Sequence, residues 1–219
     1  MKKYSFSILT IVLLISFVAC TSNSSESKQS FCDTVCFSDT VKFSGTNKAH
    51  PEVFITAKDC KADSIIWSYE GMGSFRKADL ATLLGTTVHL NKDFIRCYFN
   101  EAKMAWLFFN DCANSRGFLL QLPFKEGENF SLKPSAINNL DPKFSISDNL
   151  AVTADRGNLF IEDMNSGKKT TVTFGEAIDI DYNALHAHLD SVNITDNHAW
   201  VKVLVGKDWK IIDKDITLE

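Results

Sequence analysis

The chain has 219 residues, a formal net charge of −4, 45% hydrophobic residues and 23% charged residues. Its Lys and Arg are scattered without a basic stripe, which excludes a nucleic-acid surface and direct binding to anionic lipid. Seventeen Phe and four Trp are enough to fill a sizeable core in one domain, or in two small ones.

The chain opens MKKYSFSILTIVLLISFVAC. Lys2 and Lys3 form a positive n-region, residues 8–19 an apolar h-region broken only by Thr10 and Ser16, and the small Ala19 precedes Cys20. That is the layout of an export signal, and the run is shorter than the roughly 20 residues a spanning helix needs. Phe17-Val18-Ala19-Cys20 resembles the lipobox of bacterial lipoproteins. The resemblance implies a signal peptide at 1–19 and a diacylglyceryl thioether on Cys20. It also implies an acylated new N-terminus, with palmitate-type chains as the membrane anchor. Residues 20–30 then comprise the lipidated Cys20 and a Ser-rich flexible tether. Thr21 after the cysteine resembles lipoproteins sent to the outer membrane. A single acidic residue, Glu26, argues for the periplasmic face, with surface exposure as the alternative.

Five cysteines remain: Cys32, Cys36, Cys60, Cys97 and Cys112. In an exported chain they are disulfide candidates, and an odd count leaves one free or paired between molecules. Cys32 and Cys36 are separated by three residues, so the C-x-x-C redox spacing is absent.

Residues 31–219 read as a single β-rich domain. Strand candidates lie at 52–57, 64–69, 86–90, 94–100, 104–109, 117–122, 150–154, 158–163, 169–174, 199–205 and 209–213. They are rich in Val, Ile, Phe, Trp and Thr and bounded by Gly, Asn, Asp and Ser. The run 104–109 is apolar throughout and needs cover on both faces. Residues 76–84, closed by Gly85, predict a short helix. Residues 134–140 fit one helical turn, and 181–189 is ambiguous.

From about residue 63 a degenerate repeat aligns Trp67, Trp106, Val152 and Trp200 at spacings of 39, 46 and 48 residues. The last two copies are the most alike: Ser145-Ile146-Ser147-Asp148-Asn149 matches Asn193-Ile194-Thr195-Asp196-Asn197. Such hairpin repeats resemble β-propeller blades, although no family signature recurs. The fold expected is all-β, either propeller-like or open antiparallel hairpin repeats, with a β-sandwich as the alternative and one or two short helices. The repeat places Trp67, Trp106 and Trp200 in the core.

Site candidates are few. His186 and His188 with Asp190 would share a face and hold a metal on a strand, but diverge on a helix; the expectation is no metal and no cofactor. The alternations Asp179-Ile180-Asp181 and Asp213-Lys214-Asp215 read as solvated edge charges, because no calcium-loop pattern exists. No G-x-S-x-G elbow or phosphate-cradling loop appears. Asp33-Thr34-Val35, Asp39-Thr40-Val41, Asp63-Ser64-Ile65 and Asp190-Ser191-Val192 resemble acceptor sites of bacterial protein O-glycosylation.

These features predict an envelope lipoprotein with a non-catalytic binding or scaffold role. Its partners would be the membrane, through Cys20, and a protein or glycan held by exposed aromatics. The alternatives are a secreted hydrolase of glycan or peptide, and a subunit of an envelope assembly.

Overall fold

The computed structural model describes residue 32 and residues 36–101, 103–174 and 185–219. Their strands make four four-stranded sheets. The first runs in the order β1 (Val41–Ser44), β2 (Glu52–Lys58), β3 (Lys61–Ser68) and β4 (Arg76–Asp79). The second runs β5 (Ile95–Asn100), β6 (Met104–Asp111), β7 (Arg116–Pro123) and β8 (Ser131–Lys133). The third contains β9 (Ala136–Ile137), β11 (Leu150–Asp155), β12 (Asn158–Asp163) and β13 (Lys169–Thr173), with β13 outermost. The fourth contains β10 (Phe144–Ile146), β14 (Leu189–Ile194), β15 (His198–Val205) and β16 (Asp208–Asp215) in that order. Neighbouring strands are antiparallel except β10 and β14.

Side-chain alternation explains how the sheets stack. Along β6, Ala105, Leu107 and Phe109 pack with Val53, Ile55, Ile65 and Trp67 of the first sheet. The intervening Trp106 and Phe108 pack with Ala151 of the third sheet and with Leu140 and Met164. The other face of the third sheet, with Val152, Leu159 and Ile161, meets Val192, Val201 and Val203 of the fourth. The sheets therefore follow one another in series, with an apolar layer between each pair. The second and third are covered on both faces, so β6 tolerates no polar alternation, while β15 alternates buried and half-buried residues. Burying a large side chain such as Phe109 or Phe118, both essentially inaccessible, contributes about 1.5–3 kcal/mol.

Two disulfides link Cys32 to Cys112 and Cys36 to Cys60. Cys60 lies in the turn between β2 and β3, and Cys112 in the turn between β6 and β7. Both bonds therefore fasten the start of the described chain to one end of the first two sheets. The opposite end carries the loops after β3 and β7. There the Trp67 indole N–H donates to the Pro123 carbonyl (2.9 Å), and Arg76 donates to the carbonyls of Pro123 (2.7 Å) and Glu128 (2.7 Å).

Several expectations need correction. The first sheet already begins at Val41, ahead of residue 63. The helix expected over 76–84 is split: Arg76–Asp79 is β4, which pairs with β3, and only α1 (Leu80–Leu84) is helical. Asp79 caps α1 by accepting from the Thr82 N–H, and Gly85 closes it at φ 66°. Residues 134–140 contain β9 rather than a helical turn, and 181–189 resolves in part into α2 (Leu185–His188), with 181–184 outside the described residues. The strand expected at 86–90 is not one. Its Val88 and Leu90 are buried, but its backbone is held by the Asp111 carboxylate at the His89 N–H (3.0 Å) and by the Cys112 N–H at the His89 carbonyl (2.8 Å), not by a ladder.

The repeat is also corrected. Trp67 and Trp200 stand on the third strand of their sheets, whereas Trp106 and Val152 stand on the second. In the two most similar copies the leading segments are neighbours, because β10 and β14 pair in parallel with Ser145 opposite Asn193 and Ile146 opposite Ile194, while the strands that follow them, β11 and β15, lie in the third and fourth sheets. The chain after β10 crosses into the third sheet, while the chain after β14 turns back within the fourth. That difference shifts the buried parity: Val152 is in the core, but the aligned Trp200 is half-buried on the outer face, with Ala199 and Val201 inside.

Candidate functional site

Between the second and third sheets the apolar layer fills only part of the interface. Gly117 and Ala136 hold the sheets close. A Cβ on Gly117 would lie 2.1 Å from the Ala136 carbonyl oxygen, so only glycine admits this approach. Away from that point the sheets diverge and leave a cleft of about 630 Å³. Leu119 and Ala151 lie at its base, where they join the interlayer core. Its walls come from Gln121, Leu132 and Lys133 on one side and Thr153, Phe160, Glu162, Lys169 and Thr171 on the other.

Phe160 is the main apolar feature of the third-sheet wall. On β12 the neighbours Leu159 and Ile161 face the fourth sheet, so Phe160 faces the cleft, where it is 43% exposed. In register it stands between Thr153 on β11 and Thr171 on β13. A planar apolar ring is thus flanked by two hydroxyl-bearing side chains. Lys169 and Glu162 are paired across strands at 3.2 Å, so their charges cancel locally. On the opposite wall the Ser131 hydroxyl donates to the Gln121 side-chain oxygen. This is a concave, partly apolar surface with a few placed polar groups, the form that ligand sites take.

The histidine candidates do not converge. α2 is helical, so His186 and His188 diverge. His186 is buried, with Nδ1 3.0 Å from Oδ2 of Asp141, Nε2 3.4 Å from the Ala136 carbonyl, and its ring edge-on to Phe144. Burial pushes the Asp141 carboxyl up. The His186 hydrogen bond, the Lys143 backbone N–H and the Lys143 ammonium outweigh that effect and hold it below its ordinary value. Asp190 is exposed and pairs with Lys202 at 3.0 Å. Among the described residues no three His, Cys, Asp or Glu side chains cluster to hold a metal.

His198 does gather carboxylates, with Nε2 3.1 Å from Asp213 and Nδ1 3.2 Å from Asp215, but on an exposed strand face. Asp179 and Asp181 lie outside the described residues. Of the glycosylation-like sites, Thr40 is exposed, Ser191 half-buried and Ser64 buried, and Thr34 is not described. Among the described residues Cys97 is the cysteine outside the two disulfides, and burial pushes its thiol well above the ordinary range. Among the described residues no helix is long and apolar enough to cross a membrane.

Sequence reasoning expected exposed aromatics as anchors but did not single out Phe160. The sequence carried no signal for it, because Leu159-Phe160-Ile161 is apolar throughout and only the burial alternation along β12 shows which of the three faces the cleft. No family model matches the chain, and no curated protein matches it.

Proposed function

We propose that this chain is a lipid-anchored binding protein of a bacterial cell envelope, held through Cys20 to the periplasmic face of the outer membrane. In this reading its cleft takes an extended, uncharged glycan strand without turning it over. The anchor rests on the lipobox resemblance at 17–20. The ligand class rests on Phe160, an exposed ring between two threonines at the mouth of the cleft. A sugar ring offers such a surface an apolar face for the phenyl ring and hydroxyls for Thr153, Thr171 and Gln121. The lysines and carboxylates of the walls, Lys133 and Lys169 against Asp155 and Glu162, cancel and give no reason to select a charged ligand.

The test is affinity electrophoresis of the wild-type chain and Phe160→Ala through gels holding neutral β-glucan, xylan or galactomannan. Retardation of the wild type by at least one polymer, with Phe160→Ala running at its blank-gel mobility, is expected, and no reducing sugar should be released. Equal mobility of the two proteins in every gel would overturn the glycan assignment. The anchor is tested separately by incorporation of labelled palmitate, which Cys20→Ser abolishes.

A further inference from the structure

The outer edge of the fourth sheet is unlike the other sheet edges. β16 is eight residues long, longer than any other described strand at the end of a sheet, and is hydrogen-bonded on one side to β15. β13 of the third sheet is covered at Lys169, which exchanges two backbone hydrogen bonds with Glu219 (2.9 and 3.1 Å). No described strand pairs with the far edge of β16. It carries Trp209, 46% exposed, and Ile211, 60% exposed. A long edge bearing exposed apolar residues is a template for another strand.

The charges on β16 specify what that strand is. Set β16 antiparallel to a second copy of itself about a two-fold axis through Ile211. Asp208 then stands opposite Lys214, and the turn residue Lys207 stands opposite Asp215, each twice by symmetry. Ile211 meets its own copy on the axis, and Trp209 lies diagonally beside it. Opposite charges directly across strands stabilise a ladder and like charges destabilise it. Centring the axis on Ile212 instead places Lys210 opposite Lys214, and centring it on Lys210 places that lysine opposite itself. The sequence of the edge thus favours one register over both of its neighbours. Asp215, which touches one ring nitrogen of His198, has a fully exposed carboxylate to offer Lys207.

We propose that two copies of this chain join edge to edge through β16, antiparallel about Ile211, so that their fourth sheets become one continuous sheet. The proposal is independent of what the cleft binds.

The test is oxidation of the full chain in membranes with copper phenanthroline, followed by non-reducing electrophoresis. Ile211→Cys is expected to give at least tenfold more disulfide-linked dimer than Phe75→Cys, an equally exposed loop position that reports random collision. Ile212→Cys should stay near that background. Asp208→Lys placed on Ile211→Cys should reduce the dimer, and adding Lys214→Asp should restore it. Ile211→Cys at the Phe75→Cys level overturns the interface, and failure of the charge swap to restore the dimer overturns the register. Sedimentation of the unsubstituted chain in detergent as a monomer at every concentration also overturns the proposal, without relying on any variant.

Discussion

Substituting Gly117 by Ala tests whether the close approach of the second and third sheets holds the structure together. The added Cβ would sit 2.1 Å from the carbonyl oxygen of Ala136 and 3.2 Å from Oδ1 of Asn110. A carbon–oxygen contact settles at about 3.3 Å, so one backbone must yield by roughly 1 Å. The obstacle is backbone, not the end of a flexible side chain. Overpacking of this kind costs about 1–3 kcal/mol. Displacing β9 also strains the buried hydrogen bond from Asn138 Nδ2 to Asn110 Oδ1 (2.8 Å). Leaving those buried groups unpaired adds about 1–3 kcal/mol. The relief of backbone entropy on replacing glycine returns only about 0.5–1 kcal/mol. The net expectation is a loss of about 3 kcal/mol. It is measured from the midpoint of urea unfolding with the disulfides intact, and the slope should not change. A loss below about 1 kcal/mol, within the range of an ordinary surface change, would refute the claim that Gly117 and Ala136 pin the two sheets.

Removing the Cys32–Cys112 bond by the double substitution to Ala releases a loop spanning 80 residues in sequence, and chain entropy sets the loss at about 4–5 kcal/mol. Calorimetry should show a lowered Tm, larger than that for loss of Cys36–Cys60, whose separation is 24 residues. The carboxyl of Asp141 lies below its unfolded value, so its ionisation stabilises the fold fully above about pH 4 and stops doing so as pH falls through the folded pKa. Asp141→Asn should therefore unfold more easily than the wild type at neutral pH, with the difference shrinking as pH falls below about 4 in a pH series of urea midpoints; a constant gap would contradict this assignment.

The sequence made the strand content legible because its signals are local. The unbroken apolar run at 104–109 reflects cover on both faces, and that is realised. What it could not supply were features decided by distant partners. Arg76 to Asp79 carries helix-like neighbours, yet it becomes a strand because β3 offers it an edge. The short β8, β9 and β10 have too few residues to show a period. Likeness between 145–149 and 193–197 is real, but it marks two strands lying side by side in one sheet, and similarity alone does not reveal which one crosses over. Phe160 is read as a cleft residue only once the faces of β12 are assigned. Trp200, aligned with core residues, turned outward for the same reason.

The two disulfides also decide how the domain carries mechanical load. A pull that reaches Cys32 is passed by its disulfide to Cys112, at the tip of the β6–β7 hairpin. Tension applied there runs along the axes of two strands in a sheet covered on both faces. Their ladder with the flanking β5 and β8 is loaded in shear, many bonds at once, rather than peeled apart one bond at a time. A pull entering at a strand end on a sheet edge would unzip it; one entering at Cys112 bears on the second of the four sheets.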